Sequence, residues 1–418
     1  MNKERKELTQ MAGEAAAHLE HTIIPFWKKL RDDEYGGYYG WLSYNLELDK
    51  KAVKGCILNS RITWFFSNAY TVLKNAGKVE ESLLSEAQHG YEFLKEHCID
   101  KENGGIFWSL QYDGTPEDTT KHTYNQAFCI YALSSYFEAS GDREALELAY
   151  KLFHLIEEKC TDDIGYLEAF TIDFQPESNE KLSENGVLAD KTMNTLLHVF
   201  EAYTEFVRVT KPLADAWAVD ARTQVESRLM WMMDTFAEKV YNPELHRQEV
   251  FFDREYHSIL DLHSYGHDIE TAWLMDRGVE VLGNEEYAEK MTPITKDLTA
   301  EIYRTAFDGH SLANECDRGM VNENRVWWVQ AETVIGFVNG YEKEPEKTEY
   351  LQAALHTWEF IKNHVIDKRE GSEWYWEVHK DGSPIEGRPI VEPWKCPYHN
   401  GRMCLELMKR AGKEKTDL

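Results

Sequence analysis

Three stretches of this chain are variations on one another, and their spacing limits the fold more than any other feature. DDEYGGYYGWLSYNLELD begins at Asp32, DKENGGIFWSLQYDGTPED at Asp100 and DKREGSEWYWEVHKDGSPIEG at Asp367. Each runs from Asp through a short polar step to Gly and an aromatic-rich strand. The last two then turn at Asp-Gly ahead of Pro, which is the chemistry of a tight hairpin. Asp162-Asp163-Ile164-Gly165-Tyr166 is a weaker copy. The first two copies start 68 residues apart, room for two helices and two connections, and six such units nearly fill 418 residues. A repeating helical pair must bury its apolar face on its neighbours. The choice is therefore between an open solenoid and a closed ring of inner and outer helices.

Between hairpins the apolar residues follow the helical period. Met193, Leu196, Leu197, Phe200, Tyr203, Phe206 and Val207 form one arc, and similar patterns cover 60–73, 87–95, 124–138, 144–158, 269–282, 326–341 and 350–364. Eleven prolines rarely interrupt them. The expected fold is all-α with short β-hairpins in the loops. No Pro/Ser/Gly-rich linker divides it, so one domain over 1–418 is expected. Forty-six Lys and Arg against 74 Asp and Glu leave a net charge of −28, which repels polyphosphate and excludes general nucleic-acid binding. No apolar run approaches the roughly 18 residues of a membrane span. Seven scattered cysteines without a C-x-x-C pair, and an N-terminus without a secretory apolar region, predict reduced thiols and a cytoplasmic location.

Five clusters can carry chemistry. In His263-Ser264-Tyr265-Gly266-His267-Asp268-Ile269-Glu270, His267 falls near a helix N-terminus, where the neutral, base-competent imidazole is favoured. Glu270, three residues on, could orient that ring. Metal binding by His263, His267 and Glu270, or a purely structural role, is the alternative, although no H-E-x-x-H is present. Pro393 and Pro397 fix an extended loop before His399, which starts a last helix. Two histidines at loop-to-helix junctions suggest an acid–base pair. Asn194 and His198 share a helix face with Glu201, either as a solvated stripe or as a polar grip on a ligand. Trp327 and Trp328 read as core, but Glu332 one turn from Trp328 needs a partner if buried. Arg61 and Tyr124 open two further helices beside aromatics. There is no P-loop, dinucleotide fingerprint, G-x-S-x-G or EF-hand loop, so phosphoryl, hydride and esterase chemistry lose ground.

The segments S-R-I-T-W-F-F-S (Ser60 to Ser67), A-D-K-T-M-N-T-L-L-H (Ala189 to His198), H-S-Y-G-H-D-I-E (His263 to Glu270), R-V-W-W-V-Q-A-E (Arg325 to Glu332) and W-K-C-P-Y-H-N-G-R (Trp394 to Arg402) together resemble the cellobiose 2-epimerases of the N-acylglucosamine 2-epimerase superfamily. The resemblance implies an (α/α)6 barrel and epimerisation at C2 of the reducing-end glucose in β-1,4-linked disaccharides. It implies His267 and His399 as the catalytic pair, with His198 in the sugar site, where an imidazole could assist ring opening. Arg61, Tyr124, Asn194, Glu270, Trp327, Trp328, Glu332 and Trp394 would line the sugar site. No metal or cofactor is expected, and the expected state is a monomer. The rivals are an aldose–ketose isomerase or N-acylglucosamine 2-epimerase of the same superfamily, a glycoside hydrolase using Glu270 and Glu332, and a non-catalytic sugar-binding scaffold.

Overall fold

The computed structural model describes residues 2–180 and 186–412. In chain order its helices are α1 (Lys3–His18), α2 (Ile24–Lys28), α3 (Cys56–Asn75), α4 (Glu81–Phe93), α5 (Thr123–Ser140), α6 (Arg143–Lys159), α7 (Met193–Thr210), α8 (Ala216–Thr235), α9 (Tyr265–Leu282), α10 (Glu285–Thr305), α11 (Trp327–Lys343), α12 (Thr348–Phe360) and α13 (His399–Gly412). Helices α3, α5, α7, α9, α11 and α13 each pack on the next, and α13 packs back on α3. That contact closes an inner ring. Outside it, α4, α6, α8, α10 and α12 each lie on the inner helix just before them, while α1 lies on α13. The protein is an (α/α)6 barrel, the closed form of the two architectures the repeat allows.

Inner and outer helices differ in composition because they differ in surroundings. Helix α5, TYNQAFCIYALSSYFEAS, carries a single charged residue and is buried without a break from Thr123 to Tyr136. Helix α6 buries one stripe, Ala145, Leu146, Ala149, Leu152, Phe153 and Ile156, and turns its charges to solvent. Each such Leu, Ile or Phe contributes about 1.5–3 kcal/mol on burial. Among the described residues no helix is long and apolar enough to cross a membrane.

The hairpins form a collar at one pole. A two- or three-residue strand leads into each of five inner helices, at Lys54–Gly55, Lys121–His122, Lys191–Thr192, Leu262–Ser264 and Arg325–Val326. Each pairs antiparallel with a strand of the following repeat: Ser109–Leu110, Ala169–Phe170, Phe251–Phe252, Glu315–Asp317 and Glu377–Val378. A bridge between Leu42 and Val391 joins the last repeat to the first.

Ion pairs to a buried cation explain Asp32, Asp100 and Asp162, while Asp367 of the third copy bonds Arg369 instead. In four of the five lead-in strands, the basic residue opening the strand reaches the acid of its own upstream hairpin: Lys54 to Asp32 at 2.6 Å, Lys121 to Asp100 at 2.9 Å, Lys191 to Asp162 at 2.6 Å and Arg325 to Asp308 at 2.5 Å. Lys395 bonds Glu373 at 2.9 Å before α13. Burial alone would raise the Asp100 carboxyl, but Lys121 and three bonds from Glu102 and Asn103 hold it down at about 2. The hairpins are thus fixed where the inner helices begin.

Candidate functional site

A cavity opens at the collar, and every inner helix presents its N-terminal end to it. Arg61 comes from the second turn of α3, Tyr124 from the first of α5, and Asn194 and His198 from α7. His267 and Glu270 come from α9, Trp327 and Trp328 from α11, and His399 is the first residue of α13. Trp394 completes the wall from the loop before α13. Ten of the eleven residues expected from sequence line this one cavity. The eleventh, Glu332, is fully buried beneath it.

All three histidines are held through Nδ1. His399 Nδ1 lies 2.7 Å from Glu332 Oε1, His198 Nδ1 2.9 Å from Glu201 Oε2, and His267 Nδ1 2.7 Å from Ser264 Oγ. Nε2 is therefore the nitrogen left for a ligand in each ring. The Trp328 ring lies against both His267 and His399, with centroids 4.7 and 5.3 Å away. Those two contacts cannot separate the imidazoles by more than their total. Burial lowers all three pKa values. His267, further disfavoured by His198, falls to about 3, and His399 falls well below 6.5 through burial and Arg402. His198 falls less, because Glu201 opposes its burial. The N-terminal ends of six helix dipoles act in the same direction.

Under the cavity Arg402 joins three carboxylates. Its Nη1 bonds Glu201 and the Tyr398 hydroxyl, and its Nη2 bonds Glu270 and, at 2.6 Å, Glu332. Tyr398 donates to Glu201, and Trp273 Nε1 donates to Glu332 Oε2 at 2.9 Å. Burial would raise Glu201, but Arg402 and His198 hold it at about 2. Burial and the neighbouring Glu332 push Glu270 well up against the pull of Arg402. Glu270 Oε2 and Asn194 Oδ1 are buried without a protein partner, so both are acceptors available to a ligand in the cavity they line.

Arg61 is the second cation. Its guanidinium lies over Phe128 at 4.2 Å and Tyr398 at 4.8 Å, and its Nη2 donates to the Tyr124 hydroxyl at 2.7 Å. Among the described residues no carboxylate bonds it, which leaves its charge directed at the cavity.

Two expectations change. Glu270 does not orient His267: Ser264 does, and Glu270 turns to Arg402. His263 is no part of the site either, since its Nε2 bonds Asp268 Oδ2 at 2.8 Å, filling the place that lysines hold in other repeats. Gly266 lies inside α9, packed so closely on α11 that a Cβ there would stand 2.7 Å from both Trp328 and Val329. The one cluster of metal-ligand type among the described residues is Glu270, Glu332 and His399. Arg402 already bonds the inner oxygens of both carboxylates, so a resident cation does not suit it. Arg402 and His399 hold Glu332 Oε1 and Trp273 holds Oε2, which removes it as half of a glycosidase pair.

Sequence reasoning left several residues without a role. Arg402 sits three residues after His399 and four after Tyr398, so helical spacing placed all three on adjoining faces. Its three carboxylate partners come from other helices and left no local trace. Phe251, Glu315 and Trp376, which also line the cavity, belong to collar hairpins whose pairing is equally non-local.

A closed double ring of helices with imidazoles, indoles and carboxylates around one polar cavity is the frame of a carbohydrate-active enzyme. The chain belongs to the N-acylglucosamine 2-epimerase (GlcNAc 2-epimerase) family, which it matches over residues 37–400, and is an isomerase of the epimerase class. It is 52% identical to a cellobiose 2-epimerase from Eubacterium cellulosolvens over 397 residues, covering 94% of this chain and 96% of that one. A sugar epimerase from a ruminal bacterium superposes with a TM-score of 0.91 at 49% identity, covering 97% and 100% of the two chains. The cellobiose 2-epimerase of Bacillus thermoamylovorans gives 0.89 at 43% identity, covering 96% and 99%.

Proposed function

We propose that this protein inverts C2 of the reducing-end glucose in β-1,4-linked disaccharides such as cellobiose and lactose. It acts as one catalytic domain and a monomer in the cytoplasm, without metal or cofactor. The C2 hydrogen becomes acidic only after the ring opens to an aldehyde, so the site must first take the proton from O1 and deliver one to O5 as the C1–O5 bond breaks. His198, with Nδ1 on the Glu201 carboxylate, serves that step. One of His267 and His399 then takes the C2 proton on Nε2. The C–H electrons form the C1–C2 double bond, and the aldehyde oxygen becomes an enediolate oxygen. Arg61 and the converging helix ends stabilise that charge. The other histidine, protonated on Nε2 in the substrate complex, returns that proton to C2 from the opposite face and becomes neutral, and the first gives up the proton it took when product leaves. Neutral imidazoles suit the abstraction, and the low-polarity walls of Trp327, Trp328 and Trp394 exclude water and stack on sugar faces.

One observation carries this reading: His267 and His399 lie against a single indole, each with Nδ1 engaged and Nε2 free at the same cavity. The relatives named as cellobiose 2-epimerases support the substrate class. The test is proton NMR of cellobiose with enzyme in heavy water. Exchange of the C2 hydrogen and new glucosyl-mannose signals are expected, and both should disappear in His267→Ala and in His399→Ala. Full exchange in either variant would defeat the pairing, and release of free glucose would favour hydrolysis instead.

A further inference from the structure

The three cavity histidines are not held by equivalent partners. Nδ1 of His399 and of His198 faces a carboxylate, Glu332 and Glu201 respectively. Each carboxylate accepts bonds from other donors as well. A carboxylate acceptor keeps the hydrogen on Nδ1, so both neutral rings present an Nε2 lone pair. His267 faces the Ser264 hydroxyl at 2.7 Å, and a hydroxyl can donate or accept. Neutral His267 can therefore carry its hydrogen on either nitrogen.

The placement of Ser264 makes this pairing more than incidental. It is the N-cap residue of α9, where a serine oxygen ordinarily accepts from a backbone N–H of the first turn. Here no side-chain cap bond is made. The hydroxyl turns to the ring of the helix's third residue instead, at the wall of the cavity.

We infer that Ser264 is a positioning residue that keeps His267 free to change tautomer. His267 can then present Nε2 as an acceptor to a C–H proton or as a neutral N–H donor to a sugar oxygen, whereas His399 and His198, while neutral, offer lone pairs alone. This rests on the proposal that His267 acts on the substrate.

The test compares Ser264→Ala, Ser264→Thr and Ser264→Asp with the parent, using cellobiose kinetics and nitrogen NMR of 15N-histidine-labelled enzyme. The His267 signals are identified by their loss in His267→Gln. Ser264→Ala should lower kcat about 10- to 100-fold with KM within about twofold, and should shift the His267 ring nitrogens towards one tautomer. Ser264→Thr, which restores a hydroxyl, should recover both. Ser264→Asp should fix hydrogen on Nδ1 and move the acid limb of the pH profile upward. Unchanged kcat and nitrogen shifts in Ser264→Ala overturn the inference, as does a loss of activity that Ser264→Thr shares without any change in tautomer. If His267→Ala retains C2 exchange, the wider reading fails. If it is inactive while Ser264→Ala is fully active, the role of Ser264 alone fails.

Discussion

Arg402 carries more bonds than any catalytic candidate and touches no open space. Three buried carboxylates, Glu201, Glu270 and Glu332, share its guanidinium. Removing one partner from such a group leaves charge unpaired in a place water cannot reach. Arg402→Met should destabilise the fold by about 3–5 kcal/mol, read from urea midpoints, and should inactivate the enzyme. The histidines predict a different pH response. Their folded-state values lie below 6.5, with His267 at about 3, so they remain neutral bases as pH falls through 6.5. The kcat/KM for cellobiose should stay level across that value and decline only further into acid. An acid limb centred on 6.5 would show an ordinary, solvated imidazole in control. In stability terms the sign is fixed: unfolded histidines take up protons below 6.5 while folded ones do not, so their contribution is lost on acidification. At this scale the sequence disclosed His267 and His399 because each stands near a helix start close to Gly or Pro, and His198 because it shares a helix face with Asn194 and Glu201. It did not disclose Arg402, whose meaning depends on residues about 70 to 201 positions away.

The collar shows how elements keep these side chains in register. Asp100 and Lys121 are both buried and lie 2.9 Å apart. Asp100→Ala should cost about 3–5 kcal/mol because it strands the lysine, while the double change Asp100→Leu with Lys121→Met should recover most of that. The Asp100 contribution is full above 3.8 and is lost as pH falls through about 2. Gly266→Ala tests the packing of α9 on α11. The added methyl must displace Trp328, so about 1–3 kcal/mol of stability and a measurable part of kcat should go together. The hairpins were legible from their Asp, Gly and aromatic order, and the helices from their period. The lysine partners were not, because each pair spans 21 to 29 residues and a lone Lys before a helix carries no signature. Ring closure was equally beyond periodicity, since it rests on the contact of α13 with α3.

For the molecule as a whole, two properties follow from composition and burial together. Six of the seven free thiols are buried, and Cys316 is half-exposed. Ellman's reagent should therefore label one thiol quickly in the native protein and seven after unfolding. A net charge of −28 repels itself across the surface, so moderate salt should raise the thermal midpoint, the reverse of what surface ion pairs alone would give.

The collar also has an evolutionary consequence. Each stretch of the cavity mouth arrives on its own hairpin, and the strand Met320–Asn322 is exposed while its partner strand supplies Glu315 to the wall. Such a mouth behaves as a set of exchangeable cassettes: one hairpin can be lengthened, shortened or rewritten, changing which sugars enter, while the imidazoles on the rigid helices behind it keep their aim.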